Sequence, residues 1–190
     1  TFQLQIALFE QVTAVERDGD GDEAVFAVAT RSQLGAERVR YARAVVLAMG
    51  YYDRPNRLGV PGEDLPHASH YYSEPHPYYR RRVAVVGGKN SACEAAPDLH
   101  RNGAKVTLVH RGEALGDSVK YWVRPDMENR IKEGAVAAHF NTRIVEITAT
   151  GVVVETAGVR HEIAADAVLL LTGYRADPEF LRGAGVTLDP

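Results

Sequence analysis

The chain is poor in cysteine, in net charge and in long apolar runs. It has one cysteine, Cys93, in 190 residues. That excludes an internal disulfide and a Cys-x-x-Cys redox pair. The net charge of −3 gives no bulk electrostatic case for a nucleic-acid or anionic-membrane partner. No apolar run reaches the roughly 18 residues of a membrane span, and no signal-peptide pattern opens the sequence. A cytoplasmic protein with neither nucleic acid nor membrane as partner is the expectation. What is present is 45% apolar content, enough to bury the core of one domain, or of one domain plus part of another.

The most informative stretch is Arg82-Val83-Ala84-Val85-Val86-Gly87-Gly88-Lys89-Asn90-Ser91-Ala92-Cys93-Glu94. A short apolar strand ends in two glycines and opens into a helical pattern. Such a turn aims a bare helix N-terminus at a pyrophosphate. Gly87 is expected to make the tight turn and Gly88 to add backbone freedom. Ala92 stands where a small residue lets the helix approach the strand. Lys89 replaces the middle glycine of G-x-G-x-x-A and brings a cation to the diphosphate. Asn90 and Ser91 are expected to cap the helix and to donate to phosphate oxygens. A second strand, Val106–Val109, ends at His110-Arg111, with His110 standing 23 positions after Gly87. Readers of NAD carry an acidic residue there; an arginine suits a 2′-phosphate, because its planar fork binds phosphate bidentately. The pattern points to NADPH.

The rest of the chain orders itself around this unit. Residues 3–8 read as a short strand, and Val12–Val15, Ala24–Ala29 and Arg38–Leu47 as a meander turned at Asp18–Asp22. That turn lacks the Glu of a calcium loop, since its twelfth residue is Ala29. Ala44–Gly50 reads as a buried strand. The stretch from Tyr51 to Tyr79, rich in Pro, Tyr and His, has the composition of a connector between domains. Helices are expected near Asn90–Asn102, with Pro97 inside, and from about Arg124 to Lys132. Strands follow at Val136–Phe140, Ile144–Thr148, Val152–Glu155, His161–Ile163 and Ala167–Leu171. The last ends at Thr172-Gly173-Tyr174, an echo of Met49-Gly50-Tyr51. The expected class is α/β: a Rossmann-like NAD(P)H-binding domain, a parallel sheet with helices plus a β-meander, with a β-rich flank.

Three sets of residues point to an alternative use of the segment or of its thiol. His67, His70 and His76 have zinc-like spacing, but no cysteine stands near and prolines interrupt them, so no metal site is expected. Cys93 follows a helix start, where the dipole lowers a thiol pKa, but it faces the helix–sheet packing and reads as structural. Tyr71, Tyr72, Tyr78 and Tyr79 read as packing residues; exposed, they would favour self-association into a homo-oligomer.

Ala48-Met49-Gly50, Val60-Pro61-Gly62-Glu63, the glycine turn, His110-Arg111 and Leu171-Thr172-Gly173 together resemble thioredoxin-reductase-like flavoproteins. Gly87–Ala92 and Val119-Lys120-Tyr121-Trp122-Val123-Arg124-Pro125-Asp126 resemble the bacillithiol-disulfide-reductase branch. The resemblance implies FAD and NADPH as cofactors, with hydride passing from NADPH to the flavin and on to a low-molecular-weight disulfide. It places Gly87, Gly88, Lys89, Asn90, Ser91 and Ala92 at the pyrophosphate, His110 and Arg111 at the 2′-phosphate, and Thr172 and Gly173 beside the pyrophosphate and nicotinamide. Glu94 falls near the nicotinamide. Met49 and Gly50 match the Ala-Thr-Gly turn of the FAD domain, with Met in place of Thr. No residue is assigned a catalytic role. The family's opening FAD motif and closing Gly-Asp motif are not in the chain, so it is expected to be a central piece, inactive alone. The implied partition is a partial FAD domain over 1–60, a connector over 61–81, the NADPH domain over 82–175 and a return segment over 176–190. A ferredoxin or flavodoxin reductase, a flavin monooxygenase and a non-catalytic dinucleotide-binding module are the alternatives within the same fold.

Overall fold

The computed structural model describes residues 3–19, 21 and 24–188, and the chain forms two compact units, residues 1–54 with 175–190 and residues 55–174. Parts of the expected turn over Asp18–Asp22 therefore lie outside the described residues.

The larger unit is built on a five-stranded sheet. Its strands are β4 (Ala68–Ser69), β5 (Arg82–Val86), β6 (Lys105–Val109), β7 (Val136–His139) and β11 (Ala167–Leu170). The spatial order is β4-β11-β5-β6-β7, and every neighbouring pair is parallel. Parallel neighbours need crossovers. Helix α1 (Asn90–Arg101) joins β5 to β6, and α2 (Arg124–Lys132) joins β6 to β7. Alternation along each strand divides the core in two. Val83, Val85, Leu108 and Leu169 pack with Ala92, Ala96, Leu99 and Met127 on the helical face. Ala84, Val86, Val168 and Leu170 face Ile144, Ile147, Val152 and Val154 on the other. The latter come from an antiparallel meander, β8 (Thr142–Thr148), β9 (Gly151–Thr156) and β10 (Val159–Ala164). With both faces covered, Val83–Val86 of β5 and Ala167–Leu170 of β11 are unbroken apolar runs, as buried parallel strands require.

Part of the expected connector belongs to this unit. Ala68–Ser69 pairs with β11. The buried Glu63 carboxylate accepts from the backbone N–H of Leu58 at 2.8 Å and of Gly59 at 2.7 Å, and lies 3.2 Å from His70 Nε2. These contacts close the Val60-Pro61-Gly62-Glu63 turn, and Ile147 N–H donates to Pro61 O at 2.8 Å.

The smaller unit holds an antiparallel meander, β1 (Glu10–Asp18), β2 (Val25–Ser32) and β3 (Glu37–Ala42), and a short helix, α3 (Pro178–Gly183), capped by Asp177. Two expected strands are not formed. Residues 3–8 and 44–50 carry no regular structure, and Leu4, Ile6 and Val46 are exposed, Val46 at 88%. An apolar strand is stable only when neighbours take its backbone N–H and C=O groups and cover its side chains. No described strand pairs with either segment. β3 accordingly ends at Ala42, short of the expected Leu47.

Candidate functional site

The sheet changes direction at β5. From β5 the chain moves outward to β6 and β7, and then returns to place β11 on the opposite side of β5. Open α/β sheets bind ligands in the crevice outside the carboxyl ends of their strands at such a point. The glycine turn, His110-Arg111 and Thr172-Gly173 follow β5, β6 and β11, so all three stand on that one edge.

Gly87 makes the turn at φ +146°, where a Cβ would come within 2.5 Å of Leu171 O and 3.1 Å of Ala92 Cβ. Ala92, fully buried, is the small residue that permits this approach. Gly88 serves a different purpose from the one expected. Its φ is not positive; a Cβ there would lie 2.5 Å from the His110 ring. His110 is thus packed over the turn, edge-on to Phe140. Burial, and then the charge of Arg111, hold its pKa below the ordinary 6.5, which keeps the ring neutral. Arg111 is exposed, and no ion pair holds its guanidinium among the described residues.

Lys89, not Asn90 or Ser91, is the N-cap of α1, and no side chain caps the helix. The expected capping role is corrected here. The Asn90 amide reaches sideways instead: Nδ2 donates to Ser118 O at 3.1 Å, and Lys120 N–H donates to Oδ1 at 2.8 Å. Ser91 is exposed at the helix start. The uncapped N–H groups and the positive end of the helix dipole make this an anion-accepting site. Lys89, exposed, adds a cation beside it.

Thr172 and Gly173 are fixed by Asn56. Thr172 Oγ1 donates to Asn56 O at 2.6 Å, and Asn56 N–H donates to Gly173 O at 2.9 Å. Glu94 stands on the exposed side of α1, paired with Lys120 Nζ at 2.9 Å. Cys93 is buried, and burial raises its thiol to about 11, so it is no thiolate at neutral pH. Of the three histidines with zinc-like spacing, His70 adjoins Glu63 and His76 is exposed beside Glu74, and no metal-binding cluster occurs among the described residues.

Met49 and Gly50 belong to the other unit. They line a cleft of about 560 Å³ with Val15, Val45, Leu47 and Phe180, and with Arg54 and Arg175 at its polar side. The lining mixes these apolar side chains with charged ones, Asp53 and Asp177 besides the two arginines, and the Met49 thioether offers no hydroxyl donor.

The segment between β6 and α2 was only partly legible in the sequence. It contains no regular structure up to Arg124, yet it is tied at several points: Gly116 N–H donates to Gly88 O at 2.8 Å and Arg124 Nη2 to Gly116 O at 2.7 Å. Val119 and Leu115 anchor it in the core. Lys120, Tyr121, Trp122 and Asn56 were not among the expected site residues. The available signals were the adjacent aromatics Tyr121-Trp122 after Lys120 and the resemblance carried by Val119–Asp126.

These features define the class: a thioredoxin-reductase-like fold of the FAD/NAD(P) type, α/β with a parallel sheet and antiparallel meanders. The chain belongs to the pyridine nucleotide-disulphide oxidoreductase family, whose profile matches residues 1–190. It is 42% identical over 146 residues to bacilliredoxin reductase Bdr of Bacillus subtilis, a match covering 76% of this chain and 45% of that protein. The bacillithiol disulfide reductase Bdr of Bacillus cereus superposes with a TM-score of 0.88 at 39% identity, over 95% of this chain and 55% of that one. Thioredoxin reductase of Lactococcus lactis shares the fold at 23% identity, with a TM-score of 0.75 over 93% of this chain and 57% of that one. The chain spans about half the length of the curated relatives it matches. No helix among the described residues is long and apolar enough to cross a membrane.

Proposed function

We propose that residues 55–174 are the NADPH-binding portion of a cytoplasmic, FAD-dependent oxidoreductase that reduces a low-molecular-weight disulfide, and that the smaller unit is part of its FAD-binding domain. The observation that carries the reading is an uncapped helix N-terminus at the switch point of a parallel sheet with an exposed arginine, Arg111, at the end of the next strand. The similarity to reductases named for bacilliredoxin and bacillithiol disulfide supports a disulfide as acceptor. When bound, NADPH supplies hydride for the flavin, and the reducing equivalents end on the disulfide.

The roles of the chain's own residues follow from their positions. The α1 N–H groups and Lys89 receive the diphosphate. Arg111 forks onto the 2′-phosphate. Neutral His110 backs the turn without adding a charge. Thr172 and Gly173, locked by Asn56, wall the crevice on the β11 side. Met49 and Gly50 face the flavin from the smaller unit.

Thermal unfolding with NADPH, NADH and FAD added separately at matched concentrations tests this. A ligand at 100 times its Kd stabilises by about 2.7 kcal/mol. NADPH is expected to raise the melting temperature more than NADH. An absence of any shift with NADPH would sink the reading.

A further inference from the structure

We propose that Trp122, held beside the glycine turn by the segment from Gly116 to Arg124, is a stacking platform for a planar base of the dinucleotide; this rests on the NADPH-binding reading above. Three observations carry it.

First, the segment is fixed on the phosphate turn. Gly116 bonds to Gly88, and Asn90, the first residue of α1, accepts from Lys120 N–H at 2.8 Å and donates to Ser118 O at 3.1 Å. Trp122 follows Lys120 by two residues, which span at most about 7 Å. The indole is therefore within reach of a base whose phosphates sit on the α1 N-terminus.

Second, the aromatic surface is exposed but ordered. Tyr121 and Trp122 are 83% and 62% exposed. Their rings meet edge to face with centroids 4.9 Å apart. Lys120 Nζ lies 5.7 Å from the indole centroid and is itself held by Glu94 at 2.9 Å. The cation over one face and the perpendicular Tyr121 ring orient the indole, which stays 62% exposed.

Third, the ligand has what such a surface takes. A dinucleotide carries two planar bases, and base–aromatic stacking needs only a π-face.

Trp122 is the chain's sole tryptophan, so its fluorescence reports on this site alone. The full chain is titrated with NADP⁺ and with adenosine 2′,5′-bisphosphate, following both fluorescence and calorimetric affinity. NADP⁺ is expected to quench the emission. Quenching by both ligands assigns the adenine; quenching by NADP⁺ alone assigns the nicotinamide. Trp122→Ala is expected to weaken NADP⁺ binding by about 5- to 100-fold, the range of one stacked base. Trp122→Phe retains most of the affinity, and neither substitution lowers the melting temperature of the free protein appreciably. Unchanged NADP⁺ affinity in Trp122→Ala overturns the platform while leaving the NADPH site intact. No calorimetric binding of NADP⁺ to the unsubstituted chain overturns the NADPH reading, and the platform with it.

Discussion

At the residue scale, two adjacent glycines do different work. Gly87 combines a positive φ with a Cβ position 2.5 Å from the carbonyl oxygen of Leu171, just past the end of β11. Neither strain can be relieved by a side-chain rotation. Gly87→Ala should therefore cost several kcal/mol, roughly 3 or more, in chemical denaturation. At Gly88 the atoms nearest a Cβ all belong to the His110 ring, a neighbour that can be removed. Gly88→Ala should destabilise the native chain but have little further effect in a His110→Ala background, a coupling of about 1–3 kcal/mol in a double-mutant cycle. Additive effects would show that the ring is not the obstacle. Arg111→Ala should weaken NADPH by about one to two orders of magnitude and leave NADH binding unchanged, because a bidentate charged contact is lost only where the 2′-phosphate exists. The histidines also set a pH dependence. His110 and His139 both have pKa values below 6.5, His110 by burial and then Arg111, His139 by burial and then His161. The unfolded chain therefore takes up protons first. Stability is full above 6.5, falls as pH drops through that value, and levels off below the lowered folded values. Denaturation curves between about pH 8 and 5 should show this fall, and His110→Gln with His139→Gln should flatten it.

At the element scale, α1 is the central device, and Pro97 is its anomaly. The proline sits buried in the interior of a helix that continues to Arg101. Its missing N–H and its ring cost about 3 kcal/mol in a helix interior, partly offset by the restraint it places on the unfolded chain. Pro97→Ala should raise the melting temperature; a fall would mean that the ring's packing in the core outweighs the helix term. The N-terminus of α1 is left bare because Asn90, a residue expected to cap, bonds to the loop instead. Asn90→Ala should loosen the 116–120 segment, costing about 1–3 kcal/mol for the amide's lost and orphaned partners. The same substitution should weaken NADP⁺ more than it weakens adenine-free anions such as pyrophosphate.

At the scale of the whole molecule, the two units differ in how much core they own. Both buried clusters lie within residues 55–174, one on each face of the parallel sheet. In the smaller unit the meander leaves β3 almost wholly exposed. Amide hydrogen exchange should consequently be slowest in β5, β6 and β11 and much faster across β1 to β3. Uniform protection would contradict this division. Residues 55–174 are also contiguous in the chain, so a polypeptide of that span should fold cooperatively and keep NADPH affinity.

The local physics of the chain was legible without a structure where a single element decides it. Val83–Val86 alternates into two apolar faces and ends in glycines. Pro125 starts α2, and the β8–β10 meander follows from its turns. These depend on neighbours a few residues away. The misreadings were of segments whose state depends on distant partners. Ala44–Gly50 has the composition of a buried strand, but a strand exists only in a ladder, and no described strand supplies one. Asn90 has the chemistry of a cap, but Ser118 and Lys120, 28 and 30 residues away, compete for its amide. Gly88 is required by His110, a residue 22 positions later that only the pairing of β5 with β6 brings overhead. Sequence alone determined the strands, helices and turns from Arg82 to Leu171, where local preferences decide, but not the state of residues 3–8 and 44–50, for which no described strand supplies a ladder. Tertiary structure decided which bare groups face the crevice and which are consumed in holding it open, because hydrogen bonds and side-chain volumes compete across the whole unit.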